Sequence, residues 1–258
     1  MTGEVLLAAA AAITAVMITT WLVSLVWRDA SIVDPIWPFA FVVVAWVTRA
    51  VADGNATRQW LLVALVTLWG LRLSLYLAWR KRGAPEDFRY QAMRRHWGAR
   101  FPWVSLVTVF LVQGVLVAIV SLPVQLGQVR ATPDLGPLAI VGVALWLVGF
   151  AFETIGDAQL ARFKADPASA GQVMDRGLWR YTRHPNYFGD ACVWWGIALV
   201  AAETGIGAIG IVGAVVMSVL LVRVSGVPLL EKSMAKRRPG YAEYVARTSA
   251  FIPRPPRR

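Results

Sequence analysis

The sequence predicts an all-α integral membrane protein: a bundle of about seven transmembrane helices, with the N-terminus outside and the C-terminus in the cytoplasm. Three observations predict it. Of 258 residues, 57% are hydrophobic and only 16% charged, too apolar a balance for an ordinary soluble domain. Seven apolar stretches, 4–27, 35–52, 59–79, 103–127, 137–158, 188–203 and 206–228, mostly reach the ~20 residues that a helix needs to cross ~30 Å of hydrocarbon. The cations are unevenly shared between alternate loops. Backbone groups in lipid must be satisfied internally, so helices are the expected spans, and the alternating short segments of a β-barrel do not occur.

Taken in order, the first stretch follows MTGE, which lacks the basic start of a signal peptide, and it is expected to be a retained span. The second opens on "SIVDPIWP", with Asp34 and Trp37 at its mouth. The third carries Arg72 with Tyr76 one turn on. The connection 80–103 contains "APED", which predicts a helix start at Pro85 with two acids in its first turn. The fifth ends in "FETIGDAQL", where Glu153 and Asp157, four apart, face the same side. A second long connection, 162–186, leads into the short sixth stretch, which Asp190 opens. "GIGAIG" (205–210) matches a dinucleotide fingerprint letter for letter. That fingerprint requires a preceding strand, so close helix packing is the expected role of these glycines. The seventh stretch carries Arg223 late, with Glu231 beyond it. The tail begins with a helix-like segment in which Tyr241, Tyr244 and Val245 share a face, and stops in prolines. No linker or internal repeat divides the chain, so a single domain over 1–258 is expected, with its cofactor-binding half over about 137–258.

The formal charge is +11. With the N-terminus outside, the cytoplasmic loops and tail would hold Arg28, the group Arg80 to Arg100, the group Arg162 to Arg183, and Lys232, Lys236, Arg237, Arg238, Arg247, Arg254, Arg257 and Arg258. The opposite loops hold only Arg49, Arg58 and Arg130. This asymmetry sets the orientation. Because the cations flank spans, membrane lipids and a phosphorylated cofactor are the expected partners, not nucleic acid. A lone Cys192 excludes an intrachain disulfide and a cysteine metal cluster, and His96 and His184 lie far apart, so no metal is expected.

The densest polar cluster is "RYTRHPNYFGD" (180–190) at the mouth of the sixth stretch. Arginine grips phosphate or carboxylate in a bidentate way, tyrosine stacks on a flat ring, and Asn186 can pair with an amide or an adenine edge. Together with Asp157, Asp190, Arg72, Tyr76 and Arg223 toward the cytoplasmic side, and Glu153 slightly deeper, they predict a pocket for a polar, anionic ligand with apolar walls for a lipid-like partner. No Ser-His-Asp grouping or Walker loop is evident.

"DRGLWRYTRHPNYFGD", a membrane helix, then "RRPGYAEYVARTSAFIP" resembles the C-terminal domain of the steroid 5-alpha-reductase superfamily. "SIVDPIWP" and "WGLRLSLYLAWRKRGAPEDFRYQAMRRHWG" resemble its bacterial branch, and the resemblance covers most of the chain. It implies a seven-helix bundle in a bacterial inner membrane and an NADPH-dependent reduction of an activated carbon–carbon double bond in a lipid-like substrate, a steroid, isoprenoid or fatty acyl group. By position, Asn186, Asp190 and Asp157 match residues that hold the cofactor; Arg223, Tyr241 and Arg247 are looser matches in the last helix and tail. Glu153 stands where steroid reductases tend to have Asn. The cofactor set implied in full adds Arg162, Lys164, Arg180, Tyr181, Arg183, His184, Tyr187, Glu231 and Tyr244. Of these, Arg162, Lys164, Arg180 and Arg183 would face the phosphates. The nearest counterparts of the residues that polarise a substrate ketone are Asp34 and Tyr76, with Arg72 beside them as a catalytic candidate. Isoprenylcysteine carboxyl methyltransferases share a similar RHPxYxG segment, so S-adenosylmethionine and a lipid nucleophile form the alternative. The middle block favours the reductase. A lipid carrier without turnover is a third expectation, weakened by the absence of inverted repeats.

Overall fold

A computed structural model of the chain describes residues 1–131, 134–224, 226, 231 and 238–257. It is 79% helical, and among the described residues there is no β-strand, only an isolated bridge between Thr182 and Ser249. The helices are α1 (Thr2–Trp27), α2 (Val33–Val51), α3 (Ala56–Lys81), α4 (Phe88–Trp97), α5 (Phe101–Ser105), α6 (Val112–Val120), α7 (Leu122–Leu126), α8 (Pro137–Ala165), α9 (Pro185–Ala202), α10 (Ile211–Val219) and α11 (Tyr241–Arg247). Among the described residues, six helical runs are long and apolar enough to cross a membrane: Thr2–Trp27, Ala30–Val51, Ala56–Lys81, Phe88–Val120, Pro137–Ala165 and Ile206–Val224. The chain is thus a multi-pass membrane protein by length and composition. The predicted sixth stretch does form a helix, α9, of 18 residues, but it is not among the six. Its side chains are buried along most of its length, as suits a helix walled by protein instead of lipid. The expected cations Lys232, Lys236, Arg237 and Arg258, and the end of the seventh stretch, lie outside the described residues.

The described chain divides into two compact units, Met1–Ala139 with Ile197–Gly213, and Ile140–Gly196 with Ala214–Arg258. In the first, α2 and α3 lie antiparallel at close range. A Cβ on Gly70 would stand 2.6 Å from Val42 and 2.8 Å from the Pro38 carbonyl, so only glycine lets the backbones approach this far. One turn on, Ser74 Oγ donates to the Pro35 carbonyl at 2.6 Å. These two contacts fix the register: Pro38 opposite Gly70, Pro35 opposite Ser74. The fourth span passes through a π-helical turn, Leu106–Leu111, between α5 and α6, a distortion often found at functional positions. The "GIGAIG" segment is a 3₁₀ turn, Ile206–Gly210. A Cβ on Gly210 would stand 2.4 Å from Pro123 Cα, as close helix packing expects, whereas Gly207 meets only Ala201 and Thr204 of its own turn and Gly205, with φ of 73°, has open space around it.

At one end of this unit Arg58 is 1% exposed and donates to Glu203 at 2.9 Å. Glu203 also accepts from the backbone N–H groups of Gly136 and Ala139, each at 3.0 Å. A carboxylate thereby satisfies orphan donors at the start of α8 and neutralises a buried guanidinium at once. The N–H bonds and Arg58 hold the Glu203 carboxyl below the usual range, against a burial effect that pushes it up.

The second unit is organised by α8 and α9. Gly149 and Gly189 face each other so closely that a Cβ on either would meet backbone of the other helix at 2.5 Å. Gly196 stands equally close to the Gly142 carbonyl. Glycines seven apart on both helices give this packing its repeat and bring the polar faces of α8 and α9 together.

Candidate functional site

The RYTRHPN segment between α8 and α9 is built on Trp179. Its indole N–H donates to the Gly156 carbonyl at 3.1 Å, and its own carbonyl accepts from the Tyr244 hydroxyl. The preceding turn needs Gly177, with φ of 58°, because Gln159 fills the space where a Cβ would be; Gln159 Oε1 in turn accepts from Leu178 N at 3.0 Å. The chain after Trp179 is strapped to the tail. Arg183 N donates to Ser249 O at 2.9 Å, Arg254 N to Tyr181 O at 2.9 Å, and Thr182 Oγ1 to Phe251 O at 2.8 Å. Two blocks far apart in sequence thus form one piece.

Arg183 is an internal brace. Its Nε donates to Glu231 Oε1 at 2.7 Å, and its terminal nitrogen to the carbonyls of Thr248 at 2.6 Å and Val245 at 3.2 Å. A guanidinium at the C-terminal end of α11 satisfies carbonyls that the helix leaves orphaned. His184 Nε2 lies 3.1 Å from Glu231 Oε1, and the His184 ring stacks on Tyr187 at 5.5 Å. The His184 hydrogen bond is the largest influence on Glu231. With Arg183 it outweighs burial and draws the carboxyl down to about 2. Burial raises the Tyr241 phenol to about 12 and pushes Tyr244 up as well.

Beside this brace, Asn186 Nδ2 donates to Asp157 Oδ1 at 3.2 Å. Gly156 makes the approach possible, lying against Pro185 and the Asn186 amide. Glu153 stands against Gly189, the residue before Asp190 in sequence. Glu153, Asp157 and Asp190 are all buried. The structure therefore brings Asn186, Asp157, Glu153 and Asp190 to the α8–α9 face. Arg183, His184, Glu231, Tyr241 and Tyr244 form the adjacent scaffold. Arg162 and Lys164 are exposed at the end of α8, Tyr181 is exposed in the strapped segment, and Arg223 is exposed in a π turn, Leu220–Val224, after α10. Arg180 and Arg247 line a basic cleft of about 610 Å³ together with Arg176 and Arg257.

In the first unit, Asp34 at the start of α2 accepts from the Tyr90 hydroxyl at 2.9 Å and from Arg89 at 3.0 Å. The α2–α3 register places Tyr76 at the same end. Its ring lies 6.0 Å from the Arg72 guanidinium and 5.7 Å from that of Arg80. Trp37 Nε1 is buried with no hydrogen-bond partner among the described residues. The loop before α4 is fastened by Glu86, which accepts from Arg94 at 2.8 Å and from Ala30 N at 2.8 Å. Lys81 pairs with Asp29 at 2.8 Å. The expected helix start at Pro85 lies three residues early: α4 begins at Phe88, because Asp87 is the cap, accepting from Arg89 N at 3.0 Å. Glu86 is spent on Arg94 instead of on the helix terminus.

Residues 20–248 match the family described as "Protein of unknown function (DUF1295)". The chain belongs to the DUF1295 family. That family is steroid 5-alpha-reductase-like, in keeping with the motifs that carry the resemblance. Uncharacterized protein C594.04c of Schizosaccharomyces pombe (strain 972 / ATCC 24843) is 23% identical over 262 residues, covering 91% of this chain and 75% of its own length. No solved structure matches the chain. Within this DUF1295 chain, sequence reasoning missed Arg89 and Tyr90, which orient Asp34, and Arg176 and Arg257, which complete the cleft. Arg89 and Tyr90 stand in the quoted "EDFRYQ" block. Arg257 reaches the cleft through a backbone strap that has no local signature.

Proposed function

We propose that the chain is a membrane-embedded, NADPH-dependent reductase of an activated carbon–carbon double bond in a lipid-like substrate, of steroid, isoprenoid or fatty acyl type. It would act in a bacterial inner membrane with its N-terminus outside and its C-terminus in the cytoplasm, the orientation that the loop cations favour. The observation that carries this reading is the Asn186–Asp157 pair, 3.2 Å apart on a segment strapped to the tail. An amide, buried carboxyls, an exposed tyrosine face and a basic cleft lie in one unit, and this donor and acceptor set fits a dinucleotide. When bound, NADPH supplies the hydride.

The chain's own residues then have defined tasks. Asn186, set by Asp157, would hold the amide of the nicotinamide, with Glu153 and Asp190 beside it. Arg180, Arg247 and the exposed Arg162 and Lys164 would meet the phosphates. Arg183, fully engaged with Glu231 and two carbonyls, acts by holding the strap in place. Reduction adds hydride to one carbon and a proton to its neighbour, and negative charge develops on the conjugated oxygen between those events. Within the first unit, Trp37, Tyr76 and Arg72 would be the candidate donors to such an oxygen. Asp34, oriented by Tyr90 and Arg89, is the candidate proton carrier.

Calorimetry on detergent-purified protein with NADPH, NADH and S-adenosylmethionine tests this reading. NADPH is expected to bind, and Asn186→Ala or Asp157→Ala to weaken it at least tenfold in protein that stays folded. Unchanged affinity in both variants would refute the site. The methyltransferase alternative has one observation in its favour: the strapped segment and tail that such enzymes share lie wholly within the second unit. Saturable binding of S-adenosylmethionine alone would establish that alternative.

A further inference from the structure

The cleft at the tail has a construction of its own. Its walls are Arg176, Arg180, Arg247 and Arg257, with Asp175 and Thr248, around about 610 Å³, a volume in the range of small-ligand sites. Four arginines and one aspartate are among the residues that line it. Asp175 is paired with Arg247, and among the described residues no carboxylate pairs with Arg176, Arg180 or Arg257. Like charges lining one exposed cleft repel, weakly because solvent and salt screen them, and a bound anion would relieve that repulsion.

The backbone nevertheless enforces it. Arg257 N donates to Arg247 O at 2.9 Å and Arg254 N to Tyr181 O at 2.9 Å, which lays the tail across the strapped segment. Pro253, Pro255 and Pro256 keep the tail extended and restrict its φ angles. Cations that merely orient a membrane protein need no such strap and no cavity. Cations collected around a cavity are the recognised means of holding a phosphate, because the guanidinium fork matches its oxygens two at a time.

We propose that this cleft binds a phosphate monoester or pyrophosphate group, held by Arg176, Arg180, Arg247 and the tail residue Arg257. The group can come from a soluble nucleotide, such as the phosphates of the dinucleotide proposed above, or from an anionic lipid headgroup. Only the nucleotide source rests on the reductase reading.

The test compares the full-length protein with the double variant Arg180→Ala/Arg257→Ala, and with Arg180→Lys/Arg257→Lys should the alanine pair lower the unfolding midpoint. The probes are NADPH, NADH, inorganic pyrophosphate, and nanodiscs of phosphatidylglycerol or of phosphatidylcholine. A loss of at least about tenfold in affinity for any phosphate probe, with a flatter dependence on salt, supports the cleft. Loss for NADPH but not NADH identifies the additional phosphate as the bound group. Arginine-dependent pyrophosphate binding in a protein that binds neither dinucleotide keeps the cleft and removes the reductase reading. An arginine-dependent preference for phosphatidylglycerol alone assigns the lipid source. If every probe behaves alike with wild type and variants, the cleft is overturned, and NADPH binding in that case leaves the reductase reading standing.

Discussion

The two units treat charge differently. In the first, several charges at the helix ends are cancelled in place: Lys81 by Asp29, Arg94 by Glu86, Arg89 by Asp34 and Asp87, and the buried Arg58 by Glu203. In the second, Arg183 is cancelled by Glu231, whereas Arg176, Arg180, Arg247 and Arg257 line a cavity with Asp175, paired with Arg247, as its one carboxylate among the lining residues. A matched charge in either unit holds secondary structure in register. A surplus of one sign around a cavity is available to something that is not part of the chain. Counting cations by loop cannot separate these uses, since Arg183 and Arg180 stand three residues apart in one motif and serve opposite purposes.

The comparison breaks most visibly at the deepest matched pair. Arg58→Ala leaves Glu203 without its cation in a nearly buried setting, and the expected loss is about 3–5 kcal/mol. Glu203→Ala should cost a similar amount, because Arg58 and two backbone N–H groups then lose their acceptor. Glu203→Gln retains an acceptor oxygen and should cost less than either. Unfolding midpoints in detergent check the order. Equal midpoints for all three and wild type would mean that the pair is not a structural anchor.

Next in size is the helix contact that the second unit depends on. Gly189→Ala places a Cβ 2.5 Å from the Glu153 amide and the Gly149 carbonyl. Overpacking of this kind typically costs about 1–3 kcal/mol. Both neighbouring atoms are backbone, so α8 and α9 must move apart. Because Glu153 lies at that contact and Asp190 follows Gly189 in sequence, the variant should lose NADPH affinity along with stability. Gly171→Ala, with open space around its Cβ position but a φ of 81°, should show backbone strain of about 1 kcal/mol and no change in affinity.

Much of the fold was legible in sequence because lipid imposes simple rules. Apolar lengths mark where the helices lie, and "GIGAIG" could be set aside because its glycines lay in an apolar stretch with no strand before them. The polar mouth at 180–190 was legible because charges beside a span are costly and seldom idle. Other features depend on contacts that local pattern does not encode. The shift of α4 from Pro85 to Phe88 follows from Arg94 drawing Glu86 away. Tyr90 acquires its role from Asp34, 56 positions earlier. The strap depends on backbone hydrogen bonds from Arg183 and Arg254, which any side chains could in principle make. It is these bonds that decide which arginines are braces and which line the cleft.

The smallest expected effect sharpens the distinction between brace and ligand site. Glu231 has its carboxyl drawn from 4.5 to about 2, chiefly by the His184 hydrogen bond, with burial opposing and Arg183 assisting. A folded value below the unfolded one means that the unfolded state binds protons first. The contribution is therefore complete above about pH 4.5 and is lost as pH falls toward 2. Its side chain is 24% exposed, so solvent screening should keep the contribution to about 1–2 kcal/mol. Glu231→Gln should lower the unfolding midpoint at neutral pH and flatten its fall between pH 4.5 and 2, while the double variant Arg180→Ala/Arg257→Ala should leave that acid profile as in wild type. If instead the cleft variant alters the acid profile and Glu231→Gln does not, then Glu231 is not the acid limb of the strap. The two sets of arginines would then have exchanged the roles assigned to them here.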